Sequence, residues 1–162
     1  MDTFWLKTLA QAHYKDGQWS LAEPAKIKER SKKNFLSTIP ELLEQVHIAI
    51  ETYNEVSPEH RRIRVLPLNS GQNEGSMVGF ILLLSTVQLR LVRNNGRLDL
   101  ILTILDGFKK HDEQLHTFEP IVDALGGLSW IMDRKSIMTI EMMLKQILHD
   151  LCSSAYEQEW KG

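Results

Sequence analysis

The sequence predicts an α+β fold: a helical N-terminal third, an antiparallel β meander built on a hairpin at about residues 86–105, and a long C-terminal helix packed on one face of the sheet. Three patterns carry that expectation. Leu42, Leu43, Val46, Ile50 and Tyr53 recur at helical spacing. Apolar and polar residues alternate on both sides of Asn95-Gly96. Ile140, Leu144, Ile147, Leu148 and Leu151 then return to the helical period.

Taken in order, residues 3–15 place Trp5, Leu9 and Ala12 on one helical face, with Gly17 just beyond as a stop. Ser20 and Glu23 have capping-box spacing, and Pro24 sits where a first turn tolerates a missing N–H. A second helix is expected there, weakened by Lys26, Lys28, Arg30, Lys32 and Lys33, which leave few apolar anchors. Thr38 and Glu41 repeat the capping pattern around Pro40, so a separate helix is expected over 39–56, closed by Ser57-Pro58.

Beyond Pro58 the period changes. Ile63, Val65 and Leu68 alternate, and Pro67 among them predicts an edge strand, since proline cannot donate to a central ladder. Residues 69–76 read as a loop, and 77–84 either extend the next strand or form a buried one of their own. Asn95-Gly96 supplies the two positive φ angles of a type I′ turn. A two-residue loop there sets Leu91 opposite Leu100, Leu89 opposite Leu102 and Val87 opposite Ile104, all on one face.

Asp106-Gly107 closes the hairpin, and the polar stretch 109–117 is expected to be a loop or short helix leading into 119–125, ended by Gly126-Gly127. Residues 128–132 read as a strand. Ser136 is a candidate cap for the last helix, expected over about 136–156, although 137–140 would also suit a strand paired with 128–132. With no repeat and no shift of composition, residues 1–162 read as one domain, large enough to bury roughly two thirds of its unfolded surface.

Composition narrows the function. A net charge of −2 and a pI near 6.3 make the chain as a whole no match for nucleic acid. The longest apolar run, 77–84, is far short of the roughly 18 residues that span a bilayer, so no membrane partner is expected. The first residues lack the charge and apolar stretch of an export signal, and the single Cys152 can form no internal disulfide; both suit the cytoplasm.

The motifs that could carry chemistry fail on spacing. His111, Asp112, Glu113 and His116 crowd together, but on a helix the i, i+5 histidines point about 140° apart, where a zinc helix needs i, i+4. His149 and Cys152 share a helical face, yet Leu148 and Leu151 beside them mark an apolar stripe. Asp133-Arg134-Lys135 matches half of a metal-nuclease pattern, with Asp106 or Asp123 as a further carboxylate; a Mg²⁺-dependent hydrolase using Asp106, Asp133 and Lys135 is one alternative. The 71–76 loop lacks the lysine of a phosphate cradle, since Ser76 follows its second glycine.

Two surfaces remain. Lys26, Lys28, Arg30, Lys32 and Lys33 with Arg61, Arg62 and Arg64 would bind a polyanion if they converge, but no aromatic residues interleave with them and nucleic acid is not the expected partner. Met132, Met138, Met142 and Met143 surround the start of the last helix, where adaptable side chains suit a docking surface. The expectation is a cytoplasmic, non-catalytic protein-interaction or self-associating module, a homodimer among the forms it could take. Neither a cofactor nor a metal is called for, and contact is expected through the sheet edge or the methionines.

Overall fold

A computed structural model describes residues 14–15, 18–19, 24–69, 77–106, 108–125 and 127–161. The capping box at 20–23 and the 71–76 loop lie outside them, as does most of the helix expected over 3–15. Its last two residues instead form strand β1 (Tyr14–Lys15), paired with β2 (Gln18–Trp19). The rest is a meander of seven antiparallel strands in sequence order: β3 (Arg64–Asn69), β4 (Met77–Leu84), β5 (Val87–Asn94), β6 (Arg97–Asp106), β7 (Lys109–Val122), β8 (Leu128–Met132) and β9 (Ser136–Met138). Helices α1 (Pro24–Val56) and α2 (Ile140–Lys161) pack on one face of it.

The two N-terminal helices expected around Pro40 are one. Phe35, Ile39, Leu42, Val46, Ile50 and Tyr53 form a single stripe running through Pro40, and Phe35 meets the Trp130 ring at 5.8 Å. Thr38 does not cap. Its hydroxyl donates back to the Asn34 carbonyl at 3.0 Å. Pro40 cannot donate to the Leu36 carbonyl, but both residues lie on the wet side of the helix, where water can take the place of the lost N–H. From the last turn of α1 the Asn54 side chain satisfies both backbone groups of Ile63, at 2.8 and 3.0 Å, and so aims the chain into β3.

The hairpin has the expected register: Val87 pairs with Ile104, Leu89 with Leu102 and Leu91 with Leu100, around a turn with φ of 47° at Asn95 and 83° at Gly96. Residues 77–84 are a separate strand, and Pro67 stands in the edge strand β3. Phe80, Leu82, Val87, Leu89, Leu91, Leu98, Leu100, Phe118 and Trp130 close over the helices and are almost wholly buried.

Three expectations are corrected. Residues 109–122 are neither loop nor helix but the longest strand of the sheet. Their polar run hid the alternation, because Lys109 to Gln114 are exposed on both faces. Ser136 opens β9, which pairs with β8, and Thr139 caps α2 instead, its hydroxyl accepting from the Met142 N–H at 3.2 Å. The methionines divide: Met138 and Met143 are buried in the core, Met132 packs half-buried against it, and only Met142 is exposed. Two of the four therefore cannot form a docking surface.

Candidate functional site

The site begins with one extra residue in β7. Leu100 pairs with His116 but Ile101 pairs with Gln114, so Leu115 is a β-bulge. The bulge resets the alternation, and His116 and Phe118 come to face the helices. There the imidazole meets two carboxylates: its Nδ1 lies 2.6 Å from Asp133 Oδ2, and its Nε2 lies 3.2 Å from Asp150 Oδ2 on α2. The Asp133 contact is a hydrogen bond, and the Asp150 contact is a charge-pair distance on the other ring nitrogen. Among the described residues no cluster of histidine, cysteine and carboxylates has the arrangement of a metal site.

Each carboxylate is braced by others. Gln146 donates to both Asp150 oxygens, at 3.0 and 3.2 Å. Asp133 Oδ1 accepts the Thr117 N–H at 2.9 Å, while its own N–H goes to the Thr117 carbonyl at 2.9 Å. Burial pushes the Asp133 carboxyl up. The hydrogen bonds from His116 and Thr117 and the charges of His116 and Lys135 outweigh it, holding the group below its ordinary 3.8. Asp133 and Arg134 both adopt left-handed backbone, with φ of 54° and 60°, so this clamp also fixes the turn that sends the chain back as β9.

That turn has a consequence for β7. Pairing with β6 extends from Phe118 down to Lys109, but pairing with β8 stops at Phe118 opposite Met132. Between Lys109 and Leu115, β7 therefore pairs with a strand on one side only among the described residues. The Leu105 N–H donates to Thr86, so Leu105 points toward β5, and by alternation Leu102 and Ile104 point toward β7. Their partners Glu113 and His111 point back, which turns the backbone groups of Lys110, Asp112 and Gln114 outward.

This free half is held straight by side chains on the face away from the helices. The Thr103 hydroxyl donates to Asp112 at 2.6 Å and Gln114 donates to Asp99 at 3.2 Å. Asp99, buried to 5% exposure, also accepts from Asn94 at 3.0 Å and pairs with Arg97 at 3.1 Å. The outer strands are poorer edges. β3 contains Pro67, and β9 has only three residues.

The remaining candidates disperse. Asp133 bonds Thr117, which lies across from Asp99; Asp106 is seven residues further along β6, roughly 23 Å at about 3.3 Å per residue. Asp123 serves its own turn, accepting the N–H groups of Leu125 and Gly127 at 2.8 Å each. The Lys135 N–H closes the β8–β9 turn onto Met132 at 3.0 Å. Lys33 and Val56 are separated by roughly 35 Å of helix at about 1.5 Å per residue, so the basic residues of 26–33 and of 61–64 sit far apart along α1. Arg30 holds the Leu125 carbonyl at one end, and Arg61 pairs with Glu159 at the other, both at about 3 Å.

Cys152 is not partnered by His149, which reaches Asp150 at 3.6 Å. Burial pushes its thiol up, and a hydrogen bond with Tyr53 offsets part of that. The thiol lines a cleft of about 200 Å³ with Tyr53, Arg61, Ser85, Tyr156 and Glu159, smaller than the roughly 300 Å³ at which ligand pockets begin. Among the described residues no helix is both long and apolar enough to cross a membrane. Comparison with protein-family models, curated proteins and solved structures gives no match.

Sequence reasoning missed Asp150 and the free edge. Asp150 lies between the apolar residues Ile147, Leu148 and Leu151 of that helix, and a carboxylate set in that stripe was the available signal.

Proposed function

We propose that the chain is a non-catalytic protein-interaction module that takes an extended protein segment along the unpaired half of β7. A single observation carries this reading: Lys110, Asp112 and Gln114 present backbone donors and acceptors outward from a strand whose other side is already fully paired. Main-chain bonds along such an edge give affinity, and alternate side chains give selectivity. The Thr103–Asp112 and Gln114–Asp99 bonds lock the strand beforehand, which lowers the ordering cost of binding. A cytoplasmic setting goes with this reading, since Cys152 stays a thiol there.

Extended peptides of mixed sequence, screened by amide hydrogen exchange, test it. Binding is expected to protect the amides of Lys110, Asp112 and Gln114, and Lys110→Pro, which removes one outward N–H, should abolish that protection. If neither a peptide nor another protein copy ever slows exchange at these amides, the proposal is wrong.

A further inference from the structure

Resting on that reading, we propose that the segment taken by the free edge is the same edge of a second copy, giving a two-fold dimer with His111 on the axis. The charge order chooses this occupant. Reading outward from His111, Lys110 and Lys109 lie on one side and Asp112 and Glu113 on the other. An antiparallel pair centred on His111 sets Lys109 opposite Glu113 and Lys110 opposite Asp112, each twice by symmetry. Opposite charges facing each other across strands stabilise the pairing, and like charges oppose it.

Backbone geometry selects the same register. A two-fold axis normal to the sheet keeps each face on its own side, so opposing positions must share parity, and those whose backbone points outward must meet. Pairing Lys110 with Asp112 meets both conditions. Moving the axis to Lys110 or to Asp112 also meets them, but sets lysine against lysine or aspartate against aspartate. An edge guarded against pairing would carry one sign of charge along its length. Here the sign reverses at the centre, so two copies attract. The fully exposed Phe108 lies opposite Gln114 of the second copy, at the mouth of the notch that β8 leaves open.

Sedimentation across a concentration series, with a charge exchange, tests this. The unmodified chain is expected to dimerise reversibly. Lys109→Glu alone, or Glu113→Lys alone, places like charges opposite each other twice per dimer and should weaken association at least about tenfold. Mixing the two variants restores opposite charges at both places and should restore dimerisation. Neither substitution removes a side-chain hydrogen bond described above, and both leave the backbone pairing with β6 in place. In a Cys152→Ser background, His111→Cys should form a disulfide dimer under mild oxidation and Glu113→Cys should not. A chain that stays monomeric at millimolar concentration overturns the proposal, as does association that both charge variants leave unchanged. If peptides still protect the Lys110, Asp112 and Gln114 amides in that monomer, the edge binds other proteins and only self-pairing fails.

Discussion

Replacing His116 by alanine tests whether the two-carboxylate clamp holds the β8–β9 turn and α2 against β7. The ring makes a hydrogen bond with Asp133 at 2.6 Å and a charge-pair contact with Asp150 at 3.2 Å. A hydrogen bond to a charged group contributes about 1.5–3 kcal/mol. With the Asp133 side chain 37% exposed and that of Asp150 15% exposed, solvent screening moves the first toward the low end. Each carboxylate also keeps a donor after the change, Thr117 for Asp133 and Gln146 for Asp150, so neither is orphaned. The expected loss is therefore about 2–3 kcal/mol, one screened hydrogen bond to a carboxylate plus the weaker Asp150 contact. At about 2–4 °C per kcal/mol for a chain of this length, that lowers Tm by about 5–10 °C.

Urea unfolding followed by far-ultraviolet circular dichroism measures the change, and a double-mutant cycle with Asp133→Asn isolates the pair. Coupling of about 1–2 kcal/mol is expected, because the groups touch. A loss below about 0.5 kcal/mol for His116→Ala, or strict additivity in the cycle, would refute the clamp as a stabilising device.

The pH dependence follows from Asp133. Its folded carboxyl is held below the ordinary 3.8, so its contribution is fully present above that pH and is lost as pH falls through the lowered value; Asp133→Asn should flatten this acid limb of urea stability. Gly79→Ala should destabilise by about 3 kcal/mol, since a Cβ there would run into the Leu91 carbonyl oxygen across the β4–β5 pair, and near-native thermal stability would contradict that register. Gly96→Ala meets open space but must hold a φ of 83°, so a smaller loss of about 1–2 kcal/mol is expected from the same measurement. Cys152, its thiol pushed up by burial, should react with iodoacetamide more slowly at pH 8 than an unstructured cysteine does, and unfolding should abolish the difference.

How much of this was legible depends on where each residue faces. Val87, Leu89 and Leu91 alternate with polar neighbours because one side of β5 is buried and the other is wet, and Asn95-Gly96 fixes their partners. Pattern and turn chemistry there point the same way, and the register could be read directly. The helix through Pro40 could not, because the local signals of Thr38, Pro40 and Glu41 all mark a helix start. The apolar stripe from Phe35 to Tyr53 overrode them by packing on the sheet. The clamp was hidden for a different reason. Asp133, His116 and Asp150 come from three elements, and only the Leu115 bulge turns His116 toward the helices.

The misreading of β7 and the proposed interface have one physical origin. A strand announces itself in sequence by burying one face, and from Lys109 to Gln114 β7 buries neither. The helices do not reach that far, and the Asp133 turn removes β8 before it gets there. What remains is a strand recognisable only by its pairing to β6, with charges chosen by something other than the core. Were these residues merely a solvated surface, the order of their charges would be immaterial to stability. Exchanging Lys109 with Glu113 in a single chain keeps composition, net charge and every opposite-sign contact across the proposed axis. That double variant should therefore associate as the unmodified chain does, while either single change should not, and only pairing across a two-fold axis at His111 accounts for both results.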